Sequence, residues 1–132
     1  MVADRPAEVL LVDAANVVGS RPDGWWRDRG AATGRLVSSL RAATGRRDLP
    51  APVVVVLEGA GRDGAEAGES GDGVRVVHAP GSGDDELVDL AAAQEGRVVL
   101  VSADRALRRR IEALGGRAVG PGWLLERLAP PA

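Results

Sequence analysis

The sequence predicts an α/β fold in three layers, a parallel sheet of four to five strands with helices on both faces. Two patterns point there. Val9–Val12, Val53–Leu57 and Val98–Val101 are unbroken apolar runs, as expected of strands covered on both sides. Segments with apolar residues at helical spacing alternate with them, the pattern of a parallel sheet with crossover helices. A length of 132 residues with 45% hydrophobic content suits one core, so residues 1–132 are read as a single domain.

The elements follow in order. Val9–Val12 is a strand ending at Asp13, and Ala14–Gly30 is expected to be a polar connection carrying Trp25 and Trp26. Leu36, Val37 and Leu40 place a helix over Ala31–Thr44, stopped at Gly45. Pro50 and Pro52 mark a turn before Val53–Leu57, a β-branched strand that leads into Glu58. Gly59–Gly73 holds six glycines and almost no large apolar residue, and is expected to be a mobile loop. Val74–Val77 is a third strand and Asp84–Glu95 a helix. Val98–Val101 is a fourth strand and Ala103–Leu114 a helix stopped by Gly115-Gly116. Arg117–Val119 is a short edge strand, followed by a last helix from Pro121 and a Pro130-Pro131 tail.

Composition excludes much chemistry. Cysteine is absent, which removes disulfides, thiol nucleophiles and thiolate metal sites. All 17 basic residues are arginine, so a phosphate-loop lysine and Schiff-base chemistry are also absent, and the lack of lysine disfavours a phosphatase on a similar sheet. A single histidine, His78, rules out a histidine-rich metal site and reads as an ordinary strand-end residue. With a net charge of −2 the chain is not a generic polyanion binder. No run is long and apolar enough to cross a bilayer and no signal-peptide pattern opens the chain, so a cytoplasmic protein is expected.

What remains is carboxylate chemistry. Asp13, Glu58, the run Asp84-Asp85-Glu86 and Asp104 all follow strands, and a parallel sheet brings such positions to its carboxyl edge, where ligands bind. Acids gathered there repel one another unless a cation lies between them, and oxygen donors suit Mg²⁺ or Mn²⁺. Each acid also has an ordinary reading. Ser82 with Asp85 is close to a capping box, Ser102 can cap the helix after Asp104, and Glu58 can open a solvated loop. Asp13 is harder to explain away, because an acid ending a buried strand is costly unless paired. Trp25 and Trp26, with Arg21, Arg27 and Arg29, offer surfaces for unpaired bases and phosphates, although at least one indole is expected to serve as core. Arg108-Arg109-Arg110 reads as a solvated helix face.

Leu10-Leu11-Val12-Asp13-Ala14-Ala15-Asn16-Val17 resembles the first-strand motif of NYN domains, the branch of the PIN-like nuclease superfamily that includes YacP-type proteins. Ser82-Gly83-Asp84-Asp85-Glu86-Leu87-Val88 resembles the acidic helix start of that family, and Val99-Leu100-Val101-Ser102-Ala103-Asp104-Arg105 its fourth-strand motif. The three occur in family order across nearly the whole chain. The resemblance implies a strand order 3-2-1-4-5 and Mg²⁺- or Mn²⁺-dependent endonucleolytic cleavage of RNA. Asp13, Asp85 and Asp104 would hold the metal with Glu86 beside them, Asn16 would position the site, and Arg105, Arg27 and Ser102 would meet substrate. RNA is the implied partner, no membrane is involved, and homo-oligomerisation is left open. One departure stands out: Arg105, Ala106 and Leu107 occupy the stretch after Asp104 where many relatives carry a further acid, and the next acid is Glu112. That keeps a second reading open, a catalytically inactive PIN-like module that binds RNA or protein.

Overall fold

The computed structural model describes residues 8–130; residues 1–7 and 131–132 of the expected domain, Pro131 included, lie outside the described residues. In chain order the elements are β1 (Val9–Asp13), α1 (Ala14–Gly19), α2 (Arg29–Gly45), β2 (Val53–Leu57), β3 (Gly68–Glu69), β4 (Val74–His78), α3 (Gly83–Ala93), β5 (Val98–Val101), α4 (Arg105–Ala113), β6 (Arg117–Val119) and α5 (Pro121–Leu128). Two 3-10 turns, Trp25–Arg27 and Gly59–Gly64, lie between them. None of the described helices is long and apolar enough to cross a membrane.

The sheet runs β3-β4-β2-β1-β5-β6. The pairs β1–β2, β1–β5, β2–β4 and β5–β6 are parallel. The five strands legible in the sequence stand in the expected order, and the correction is a sixth, two-residue strand, β3, antiparallel to β4 at the edge. Strand alternation divides the core. Leu10, Val12, Val53, Val55 and Leu57 face the layer of α1, α2 and α5, while Val9, Leu11, Val54 and Val56 face α3 and α4. Every residue of β1, β2 and β5 is buried, which explains why these strands read as unbroken apolar runs. The order reverses at β1: the chain first builds outward through β2 and β4, then crosses to β5 on the other side.

Two expected loops are corrected. Ala14–Gly30 opens with α1, whose N-cap is Asp13 and which buries Ala14, Val17 and Val18. Six residues are too few to show a helical period, so the helix was hidden. The glycine-rich segment is likewise built rather than loose. Its first part coils against α2, and a methyl added at Gly64 would lie 2.7 Å from both the Gly30 carbonyl oxygen and the Gly34 nitrogen. These glycines let two backbones touch, a role that composition cannot distinguish from flexibility. His78 then pins the segment, its Nε2 lying 2.7 Å from the Ala65 carbonyl oxygen.

Gly64→Ala is expected to destabilise the protein by about 1–3 kcal/mol, because the new methyl meets backbone that cannot turn away. Gly122→Ala in α5, where a methyl meets nothing within 4 Å, is expected to be neutral or slightly stabilising. Urea denaturation of both variants checks the contrast.

Candidate active site at the carboxyl edge of the sheet

Asp13 closes β1 where the strand order reverses and is 5% exposed. Its two oxygens are held separately. The Asn16 backbone N–H donates to Oδ1 at 3.3 Å, and the Ser102 hydroxyl donates to Oδ2 at 2.9 Å. Ser102 is fully buried just past β5, and its oxygen also accepts from the Asp104 N–H at 3.1 Å. Asp104 is the N-cap of α4, its Oδ1 accepting from the Leu107 N–H at 3.0 Å. The Asn16 side chain spans the same gap, Oδ1 accepting from the Ala103 N–H at 2.8 Å. Asp13, Asn16, Ser102 and Asp104 thus form one stitched unit across the β1–β5 boundary. The cap of α4 is Asp104 itself rather than Ser102, whose hydroxyl instead orients the Asp13 carboxylate and receives the Asp104 backbone N–H.

The sheet edge gathers two further acids. Glu58 follows β2, is half-buried, and through Oε2 accepts from the Gly83 N–H at 3.1 Å, at the start of α3. It therefore caps a helix rather than opening a solvated loop. Asp84 stands in the first turn of α3 and is half-buried. Burial raises the Asp13 carboxyl to about 6, against the lowering effect of the Ser102 and Asn16 hydrogen bonds and with added repulsion from Asp84 and Glu58. Asp84 is also raised, first by burial, then by Asp104 and Glu58, with Arg110 opposing. Asp13, Glu58, Asp84 and Asp104 thus form an acidic cluster, with Asp85 a weaker repulsive neighbour of Asp84.

The expected site residues are not all brought to this cluster. Asp85 is exposed and its Oδ1 accepts from Arg110 at 3.1 Å, so it is tied to α4 while its neighbour Asp84 joins the cluster. One residue along a helix is a rotation of about 100°, which separates an inward acid from an outward one. Glu86 is half-buried and is not among the leading charges acting on Asp13 or Asp84. Ser102, expected at substrate, has no exposed surface and no spare hydroxyl. Arg105 is exposed directly after Asp104, and Arg27 is exposed with its guanidinium 6.0 Å from the centre of the Trp26 ring. Trp25 packs partly on the core, as expected of one indole, whereas Trp26 is 58% exposed. Among the described residues, no three His, Asp or Glu side chains converge as a ready-made metal ligand set, so the expected Asp13–Asp85–Asp104 shell is not assembled.

The donor set nonetheless suits a hard cation. It is all oxygen, two of its members are raised by burial and by neighbouring acids, and Mg²⁺ is commonly held by only one or two carboxylates with water completing its shell.

No protein-family profile matches the chain, and no curated protein sequence does. Solved structures do share its fold. The crystal structure of Rae1 (YacP) from Bacillus subtilis is 21% identical, with a TM-score of 0.66, covering 91% of this chain and 72% of that one. A single-substitution variant of the same protein is 19% identical with the same TM-score of 0.66, covering 92% of this chain and 74% of that one. At this identity the likeness concerns the fold, a YacP-like three-layer arrangement over nearly all of the chain.

Two outcomes follow from the site geometry. The folded Asp13 carboxyl titrates near 6 against 3.8 for the free group, so the native state keeps a proton that the unfolded chain has released. Its contribution is therefore greatest below about pH 4 and is lost as pH rises through about 6, by about 3 kcal/mol in full. Asp13→Asn is expected to remove that slope and to gain on the wild type as pH rises, read from urea denaturation between pH 4 and 8. Ser102→Ala is expected to cost about 1–3 kcal/mol, because Asp13 Oδ2 and the Asp104 N–H both lose their partner. It should also move the Asp13 titration, followed by NMR, still higher.

Proposed function

We propose that this protein is a metal-dependent ribonuclease that cuts RNA internally by hydrolysis, working from the acidic cluster at the carboxyl edge of the sheet. The observation that carries the reading is the buried, proton-hungry Asp13, held by Ser102 and Asn16 at the strand-order reversal with Asp84, Glu58 and Asp104 around it. An acid kept there at a cost to stability, with no cationic side chain bonded to it among the described residues, suits a site that serves chemistry. The fold shared with the YacP structure and the ordered NYN-like motifs support the same reading.

Asp13, Asp104 and Asp84 are the residues that would hold Mg²⁺ or Mn²⁺, with Asp84 taking the place first given to Asp85. Such a cation supplies activation of water and neutralisation of charge on phosphoryl oxygens. The chain's own residues do the rest. Ser102 and the Asn16 backbone aim the Asp13 carboxylate, and the Asn16 side chain holds the loop before α4 at a set distance from α1. Glu58, anchored on α3, maintains the negative potential that draws the cation. Arg105, exposed beside Asp104, offers a positive charge to a substrate phosphate.

The absence of a ready-made ligand set among the described residues favours one rival, a PIN-like module that binds RNA or protein without cutting it. Incubation with single-stranded RNA separates the two. The nuclease is expected to cut with Mg²⁺ or Mn²⁺ and to stop in chelator. Asp104→Asn and Asp84→Asn are each expected to lower the rate by about two orders of magnitude while the fold persists, and Asp85→Asn to stay within about threefold. Activity equal in wild type, Asp104→Asn and chelator would belong to a contaminant. A metal at about a hundred times its Kd is expected to stabilise the fold by about 2.7 kcal/mol. No stabilisation and no cleavage would leave the binding module.

A further inference from the structure

Beside the acidic cluster the surface opens into a cleft of about 310 Å³, bordered by the start of α1 and the end of β2 and walled by Trp25, Arg29, Thr33 and Glu58. Glu58 belongs to both features, so cleft and cluster share a wall. Its chemistry is specific. Trp25 is half-buried, and the Arg29 guanidinium lies over its ring, 5.0 Å from the centre, giving a platform of two planar groups. Thr33 is 4% exposed and lines the cleft, with no hydrogen bond to its hydroxyl among the described residues. Glu58 uses Oε2 on Gly83, and Oε1 has no donor among the described residues.

These features select an occupant. A carboxylate in the wall repels a phosphate but accepts from amino and imino groups. Planar indole and guanidinium surfaces favour a flat aromatic ring. The volume lies at the low end for ligand clefts and suits one base with its sugar. A paired base buried in a duplex presents no free face to such a platform. Arg29, exposed at the mouth, is placed for a flanking phosphate.

We propose that the Trp25–Arg29 cleft is a subsite for one unpaired nucleobase of the RNA strand, stacked on those two side chains with its polar edge met by Thr33 and Glu58. The identity of the strand rests on the ribonuclease reading above.

The test measures binding in the Asp104→Asn background with Mg²⁺ present, using a single-stranded RNA hexamer and an abasic hexamer with the same sugar–phosphate chain, both followed by fluorescence anisotropy. The expected result is that Trp25→Leu weakens the hexamer about tenfold and leaves the abasic chain within twofold. Arg29→Gln is expected to weaken the hexamer as well. Arg35→Gln, an equal loss of charge at an exposed position of α2 outside the cleft, is expected to stay within twofold. Should Trp25→Leu fail to fold, the exposed Arg29→Gln against Arg35→Gln carries the comparison. Folded variants that bind the hexamer as tightly as the parent, or that lose equally on hexamer and abasic chain, overturn the subsite. So does a parent that does not bind the hexamer. The two readings fail separately: metal-dependent cleavage by wild type with unchanged binding in Trp25→Leu removes the subsite alone, and base-selective binding without cleavage removes the nuclease alone.

Discussion

A carboxylate buried at the end of a central strand is the constraint around which this molecule is arranged. Asp13 is largely shielded from water where β1 meets β5, so both of its oxygens are met by the chain, and the groups that meet them come from both sides of the strand-order reversal. The Ser102 hydroxyl ties β5 to β1 and also receives the Asp104 N–H, while the Asn16 side chain closes the same gap from α1. Burial still outweighs these bonds, and the carboxyl stays well above its ordinary value. The fold is thus held together at this edge by a group that it leaves short of positive charge.

Helix starts supply part of the compensation. Asp13, Asp104 and Ser82 each cap a helix with a side-chain oxygen, and Glu58 accepts from the first residue of α3. The N-terminal ends of α1, α3 and α4 therefore bring partial positive charge to the same edge that carries the acids. The ordinary capping reading and the functional one are not rivals at Asp104: one oxygen caps α4, and the other has no partner among the described residues. Asp85, by contrast, is exposed and pairs with Arg110 on the neighbouring helix.

The glycine contact between α2 and Gly59–Gly64 has a consequence at the same edge. Close backbone approach draws the segment after β2 onto α2, which places Glu58 and Gly61 opposite Thr33, Arg29 and Trp25 as the walls of one cleft. A bulkier segment would push these walls apart. Packing and cleft shape here are one property of the glycines.

The sequence by itself determined the strands, their parallel arrangement and the acidic edge, because a strand buried on both faces must be continuously apolar and the residue after it must emerge at the sheet's end. Val9–Val12, Val53–Leu57 and Val98–Val101 carry that information locally, and so do Asp13 and Asp104. Tertiary structure alone decided what depends on rotation about a helix or on contact between distant segments. Asp84 rather than Asp85 turns toward Asp13, since adjacent positions on a helix differ by about 100°. Glu58 finds Gly83 across 25 residues of chain, and Ser102, expected to meet substrate, is fully buried with its hydroxyl on Asp13. A glycine-rich stretch became packed structure because its partner backbone, α2, lies elsewhere in the chain, where no local pattern could reveal it.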